Sequence, residues 1–185
     1  MIAYCYYHMD NFQMCVQLYE KLCTLYPEVE EYHVYFAQSL YKSGQYDMAS
    51  RKASQIESEQ HVNQMHLLKA SIYYEQNDLK STRSILEHCL DDDPTTIVFE
   101  GAIEFKEGKY EEATKKFQDA MDSLGYQPEI AYNVALCHYK MKQYRPAMKE
   151  IAEIIEKVFK KQQNEEPYSK YDVISRESKT ILNSV

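Results

Sequence analysis

The sequence predicts an all-α chain of stacked helical hairpins, a right-handed α-solenoid of about five helix-turn-helix repeats, and three observations carry that prediction. A small residue recurs three positions after an aromatic or a leucine, at Phe12-x-x-Cys15, Tyr46-x-x-Ala49, Leu79-x-x-Thr82, Tyr110-x-x-Ala113 and Tyr144-x-x-Ala147, in steps of 34, 33, 31 and 34 residues. A second small residue stands twelve positions upstream of each: Ala3, Ala37, Ala70, Gly101 and Ala135. With four Gly, five Pro and no Trp, the composition also favours helices over a sheet.

A step of about thirty-four residues is the period of the tetratricopeptide repeat (TPR), in which two small residues let helix A approach helix B of one hairpin. A closed helical bundle has no need of a small residue at one fixed place in every hairpin. The expected A/B pairs are 1–9/12–26, 28–43/45–58, 61–77/78–91, 94–108/109–124 and 128–142/144–163. Four residues past each small B-helix position come Tyr19, Ala53, Leu86, Phe117 and Ile151, and three further on Leu22, Ile56, Cys89, Ala120 and Ile154. That spacing keeps one apolar face of helix B toward its partner. Pro27, Pro94 and Pro128 stand where a new helix can begin without losing an internal hydrogen bond. Gly44 and Gly108 fall in A-to-B turns, where positive φ is often required. The TPR array is therefore expected over residues 1–163, its first repeat truncated, with a linker and the start of a further helix over 164–185. A free array ends in polar capping repeats, so a longer array is expected beyond both ends.

Composition narrows the function classes. The chain has 44% hydrophobic and 27% charged residues with a mean hydropathy of -0.62, which describes a buried core beneath a polar surface. The net charge of -8 opposes attraction to phosphate, and no basic stripe is interleaved with aromatics, so nucleic acid is not an expected partner. Membrane insertion is not expected either, for no apolar run approaches the ~20 residues of a spanning helix. Cys5, Cys15, Cys23, Cys89 and Cys137 include no C-x-x-C pair and read as small core residues in a reducing cytosol.

Chemistry is not signalled. The six histidines are scattered, with no i, i+4 pair, so no metal site is expected. Asp91-Asp92-Asp93 lacks the glycine and bidentate glutamate of a calcium loop and reads as a helix end followed by an N-cap. Without a Gly-rich phosphate loop or a nucleophile elbow, neither an enzyme nor a cofactor is expected.

The informative feature is a stripe on helix A. One aromatic per repeat stands four residues after the small position, at Tyr7, Tyr41, Tyr74, Phe105 and Tyr139. Val34, Leu67, Val98 and Tyr132, three residues before the small position, widen it, as does Leu136 one residue after. Helix A lines the inner groove of a TPR array, so these ten residues are the expected partner-binding groove, open to an extended apolar segment. The alternative is that the rings only pack against a neighbouring hairpin. A co-chaperone-like adaptor that clamps a terminal carboxylate is the other binding-module reading; Lys42, Lys106 and Lys140 could attempt it, but no matching asparagine set accompanies them.

One family shares these residues. The run Gly125-Tyr126-Gln127-Pro128-Glu129-Ile130-Ala131-Tyr132-Asn133-Val134-Ala135-Leu136 is followed by Gln143-Tyr144-x-x-Ala147 and Ile151-Ala152-Glu153-Ile154-Ile155-Glu156. Together with Tyr4-Cys5-Tyr6-Tyr7, Tyr19-Glu20-x-Leu22 and Ala37-Gln38-x-Leu40-Tyr41-Lys42, it resembles the fleer-type TPR subunit of intraflagellar transport complex B. The resemblance implies a scaffold of the cytoplasm and cilium, required for cilium assembly and tied indirectly to tubulin polyglutamylation. It also implies partners among the other complex-B subunits, especially the fifty-two-kilodalton one, around a segment of which the family's superhelix closes. The chain departs from the family in the short Asp91-Asp92-Asp93-Pro94 connection, where a longer acidic one is usual.

Overall fold

The computed structural model describes residues 2–89 and 93–163, and all its regular elements are helices. They are α1 (Ile2–His8), α2 (Phe12–Leu25), α3 (Glu30–Lys42), α4 (Tyr46–Ala53), α5 (Val62–Glu75), α6 (Leu79–Leu86), α7 (Pro94–Lys106), α8 (Tyr110–Leu124), α9 (Pro128–Lys140) and α10 (Tyr144–Gln163). The chain divides into two compact units, Met1–Cys89 and Leu90–Val185. Within each, every helix packs on its neighbours in sequence, from α1 to α6 in the first and from α7 to α10 in the second; α3 also touches α5. The expected 164–185 linker, together with Asp91 and Asp92, lies outside the described residues.

Odd-numbered helices are the A helices, and each ends in the same way. The residue after the first unpaired turn takes positive φ: Asp10 at 56°, Gly44 at 78°, Asn77 at 60°, Gly108 at 81° and Lys142 at 61°. In α3 the Gly44 N–H donates to the Tyr41 carbonyl at 2.9 Å and the Gln45 N–H to the Leu40 carbonyl at 2.9 Å. The same two bonds close α1, α5, α7 and α9, where the Tyr7, Tyr74, Phe105 and Tyr139 carbonyls accept in turn. This is the Schellman ending, which satisfies carbonyls that the helix leaves orphaned. Its consequence is positional: the aromatic of each repeat sits in the last turn of helix A, three residues before the reversal.

Three helices start from side-chain caps. Asn11, Asp78 and Asp93 each accept from the backbone N–H three residues on, opening α2, α6 and α7. Pro94 and Pro128 occupy the first turn of α7 and α9, as expected. Pro27 does not open α3; Val29 N–H bonds to the Tyr26 carbonyl in an intervening turn, and the helix begins at Glu30.

Two B helices are shorter than the sequence pattern suggests. After Ala53 in α4 and Leu86 in α6 the chain tightens into bonds that span three residues, such as Ile56 N–H to the Ala53 carbonyl and Cys89 N–H to the Leu86 carbonyl. Ile56 and Cys89 are buried all the same, so the apolar contact survives where the helix does not.

The small residues of every hairpin are buried. In the first unit the Cys15 thiol lies 3.5 Å from the Ala3 carbonyl, and Ala37 and Ala49 are both fully buried in one core. In the second, the backbone of Gly101 approaches α8 so closely that an added Cβ would stand 2.8 Å from Phe117 Cε1 and 3.2 Å from Lys116 Cβ. Cys15, Cys89 and Cys137 are buried, and burial pushes the Cys137 thiol up to about 11. Cys5 departs from the expected core role and is exposed, because it lies two residues from Ala3 and so on the opposite side of α1.

Candidate partner-binding face

The A helices distribute the ten expected groove residues unequally. Val34, Tyr41, Tyr74, Val98 and Phe105 are buried; Tyr7, Leu67 and Leu136 are half-buried. Tyr132 and Tyr139, both on α9, are 45% and 58% exposed.

Ring geometry accounts for part of this. Each aromatic at the end of helix A meets the first residue of helix B across the turn: Tyr7 with Phe12 at 5.6 Å, Tyr41 with Tyr46 at 5.7 Å, Phe105 with Tyr110 at 5.3 Å and Tyr139 with Tyr144 at 5.7 Å between ring centroids. Most are edge-on, the arrangement that the ring quadrupoles favour. In the third repeat Leu79 takes the second ring's place. These rings thus staple their own hairpin, and Tyr41 and Phe105 also belong to cores that include the following hairpin's helix A; only on α9 does the same geometry leave both rings, Tyr139 and Tyr144, more than half exposed.

Electrostatics separate the buried rings from the exposed ones. Burial, and after it the Glu75 carboxylate, pushes the phenols of Tyr41 and Tyr74 up. Ser71 and Glu75, both on α5, act on the Tyr41 hydroxyl, which is buried. Lys42, the cation beside Tyr41, sits 6.0 Å from that ring's centroid.

One residue of α9 carries no mark in the sequence pattern. Asn133, beside Tyr132, is 3% exposed, and neither its side-chain oxygen nor its nitrogen has a hydrogen-bond partner. Spacing could not have flagged it, since the corresponding positions in α3, α5 and α7 hold Tyr35, Leu68 and Phe99. Among the described residues no group of three or more His, Cys, Asp or Glu could hold a metal ion, and no helix is long and apolar enough to cross a membrane.

Comparison with known proteins gives this face its setting. The family described as Intraflagellar transport protein 56 matches residues 1–157. Intraflagellar transport protein 70A of Xenopus tropicalis is 43% identical over 157 residues, 85% of this chain and 24% of the relative. Intraflagellar transport protein 70A1 of Mus musculus is 38% identical over 167 residues, 85% of this chain and 25% of the relative. The chain therefore spans about a quarter of the length of the curated relatives it matches. Among solved structures, a thermophilic TPR protein of Thermus thermophilus has a TM-score of 0.74 at 16% identity, covering 96% of this chain and 95% of that one. The APC/C hetero-tetramer Cut9-Hcn1 has a TM-score of 0.70 at 16% identity, covering 83% of this chain and 32% of that one. At such identities these two speak to fold alone, which is the all-α TPR class that the repeat period predicts. The match over residues 1–157, with relatives that are intraflagellar transport proteins, places the chain in the intraflagellar transport protein family.

Proposed function

We propose that the chain is a protein–protein interaction scaffold of intraflagellar transport complex B that works by holding an extended segment of another subunit, the fifty-two-kilodalton one, and not by catalysis. In this reading it acts in the cytoplasm and cilium, cilium assembly depends on it, and tubulin polyglutamylation follows indirectly from the cargo it helps to deliver. The observation that carries the reading is a TPR fold with an aromatic at the end of every helix A, and with Tyr132, Leu136 and Tyr139 one turn apart on one side of α9, in a chain whose relatives are intraflagellar transport proteins. Exposed aromatics in line are a favourable surface for an apolar segment, because their rigid rings lose few rotamers when bound. The buried members, Val34, Tyr41, Tyr74, Val98 and Phe105, pack in the interior of their own units.

Titration of the purified fifty-two-kilodalton subunit into the chain tests this. Tyr132→Ala and Tyr139→Ala should each weaken binding about tenfold or more, since anchors lose ~2 kcal/mol on truncation and 1.4 kcal/mol is tenfold. Lys42→Ala should change it little, and moderate salt should leave it standing, because apolar contact is not screened as ion pairs are. Binding that survives both tyrosine changes but is abolished by moderate salt would assign the contact to surface charge instead.

A further inference from the structure

In the second unit α9 is seated on the hairpin before it, and the chain carries both sides of that contact a second time, uncovered. Val134 and Cys137 of α9 share one core with Phe105 and Phe117, and Met141 packs against it together with Tyr110 and Met121. The Thr114 side chain acts on the Cys137 thiol, so these two residues face one another across the contact. On its docking side α9 therefore offers Val, Cys and Met at one before, two after and six after its small residue, Ala135. The hairpin beneath it offers Phe105, Tyr110, Thr114 and Met121.

One repeat of thirty-four residues further on, the receiving side recurs as Tyr139, Tyr144, Met148 and Ile155. All four are exposed, Met148 by 72%. The docking side recurs on α1, where the same three places counted from Ala3 hold Ile2, Cys5 and Met9. These are exposed too, Ile2 by 68% and Met9 by 71%. The other A helices break the match with a polar residue, Ser39 in α3, Lys69 in α5 and Glu100 in α7. No acidic, lysine or arginine side chain lies on α1, so docking strips the hydration from no ion there. We propose that the occupant of the uncovered face is a second copy of this chain: α1 of one copy seats on the α9 and α10 hairpin of another as α9 seats on α7 and α8. Cys5 then stands opposite Met148, with Ile2 and Met9 against the apolar surface around Tyr144 and Ile155. The contact joins two different faces, so it is heterologous, head to tail. One helix on one hairpin is a small interface, and association is accordingly weak and dependent on concentration. This self-association goes beyond the binding reading above, and its test leaves Tyr132, Leu136 and Tyr139 unaltered.

Sedimentation equilibrium of the full chain over a wide range of concentration is the test, and the mass of the parent should rise with concentration. Met148→Glu and Ile2→Glu each change an exposed side chain, so both should melt as the parent does. Each places a charge in the contact and should raise the concentration needed for association about tenfold or more. Mixed, the two variants should pair and stop at a dimer, because the first keeps its α1 face and the second its α10 face. A milder variant, Met148→Cys, should form a disulfide with Cys5 of another copy in the presence of diamide, which takes up the two protons and two electrons that the thiols release. Cys5→Ser should abolish that crosslink. A parent that stays monomeric at every concentration overturns the proposal, which is also the result if the residues after Gln163 cover α10 in cis. Ile2→Glu associating as the parent does, while Met148→Glu does not, assigns α10 to a symmetric pair and overturns it too. So does a mixture that fails to pair, or a Met148→Cys crosslink that persists in Cys5→Ser. Each of these results leaves the titration with the fifty-two-kilodalton subunit to be judged separately.

Discussion

Gly101 shows how one residue decides the spacing of two helices. A glycine inside a helix is destabilising by roughly 1 kcal/mol relative to alanine, so propensity alone favours replacing it. Packing opposes this, because the new Cβ would meet the Phe117 ring at 2.8 Å and Phe117 is fully buried, with no room to swing. Overpacking of that kind costs typically ~1–3 kcal/mol, which outweighs the gain in helix propensity. Gly101→Ala is therefore expected to be net destabilising by about 1 kcal/mol, read as a lower urea midpoint with unchanged slope; a higher midpoint would show that α7 and α8 can part. The requirement for a small residue at 101 was legible from the twelve-residue spacing. The contact was not: spacing pairs Gly101 with Ala113, whereas the nearest side chains are Phe117 and Lys116, one turn further along α8. Periodicity names a face of a helix and leaves open which rotamer fills the space above it.

At the scale of elements, the repeated turn is the device that holds the aromatic stripe. It was legible at Gly44 and Gly108, where the residue type announces positive φ. It was not legible at Asp10, Asn77 or Lys142, where hydrogen bonding alone imposes the same conformation. A β-carbon in the left-handed region costs roughly 1–2 kcal/mol, least for Asn and Asp, so the α9 turn carries the most strain of the three. Lys142→Gly should stabilise the chain by about 1 kcal/mol, less the added freedom of the unfolded state, and leave partner binding unaltered because Lys142 lies beyond the end of α9. Loss of stability in a thermal melt would mean that the lysine side chain contributes more than its backbone strain removes. The short ends of α4 and α6 were illegible for a related reason: Ile56 and Cys89 keep the helical apolar spacing, and a three-residue turn satisfies that spacing as well as a helix does.

At the scale of the molecule, the fold was readable because a period, two small residues and the turn signals agree on one architecture. The candidate site was readable only as far as its helix face. That helix A carries an aromatic in each repeat is a property of the sequence; that Tyr41, Tyr74 and Phe105 are covered while Tyr132 and Tyr139 are open depends on packing. Asn133 was invisible because an orphaned amide is defined by what surrounds it. Partner contact is accordingly expected on α9, and hydrogen exchange measures it most directly. With the purified fifty-two-kilodalton subunit bound, exchange should slow in peptides covering α9, Pro128–Lys140, and the adjoining start of α10, while α2 and α4 exchange as in the free chain. Slowing confined to α2 and α4, with α9 unchanged, would contradict the account.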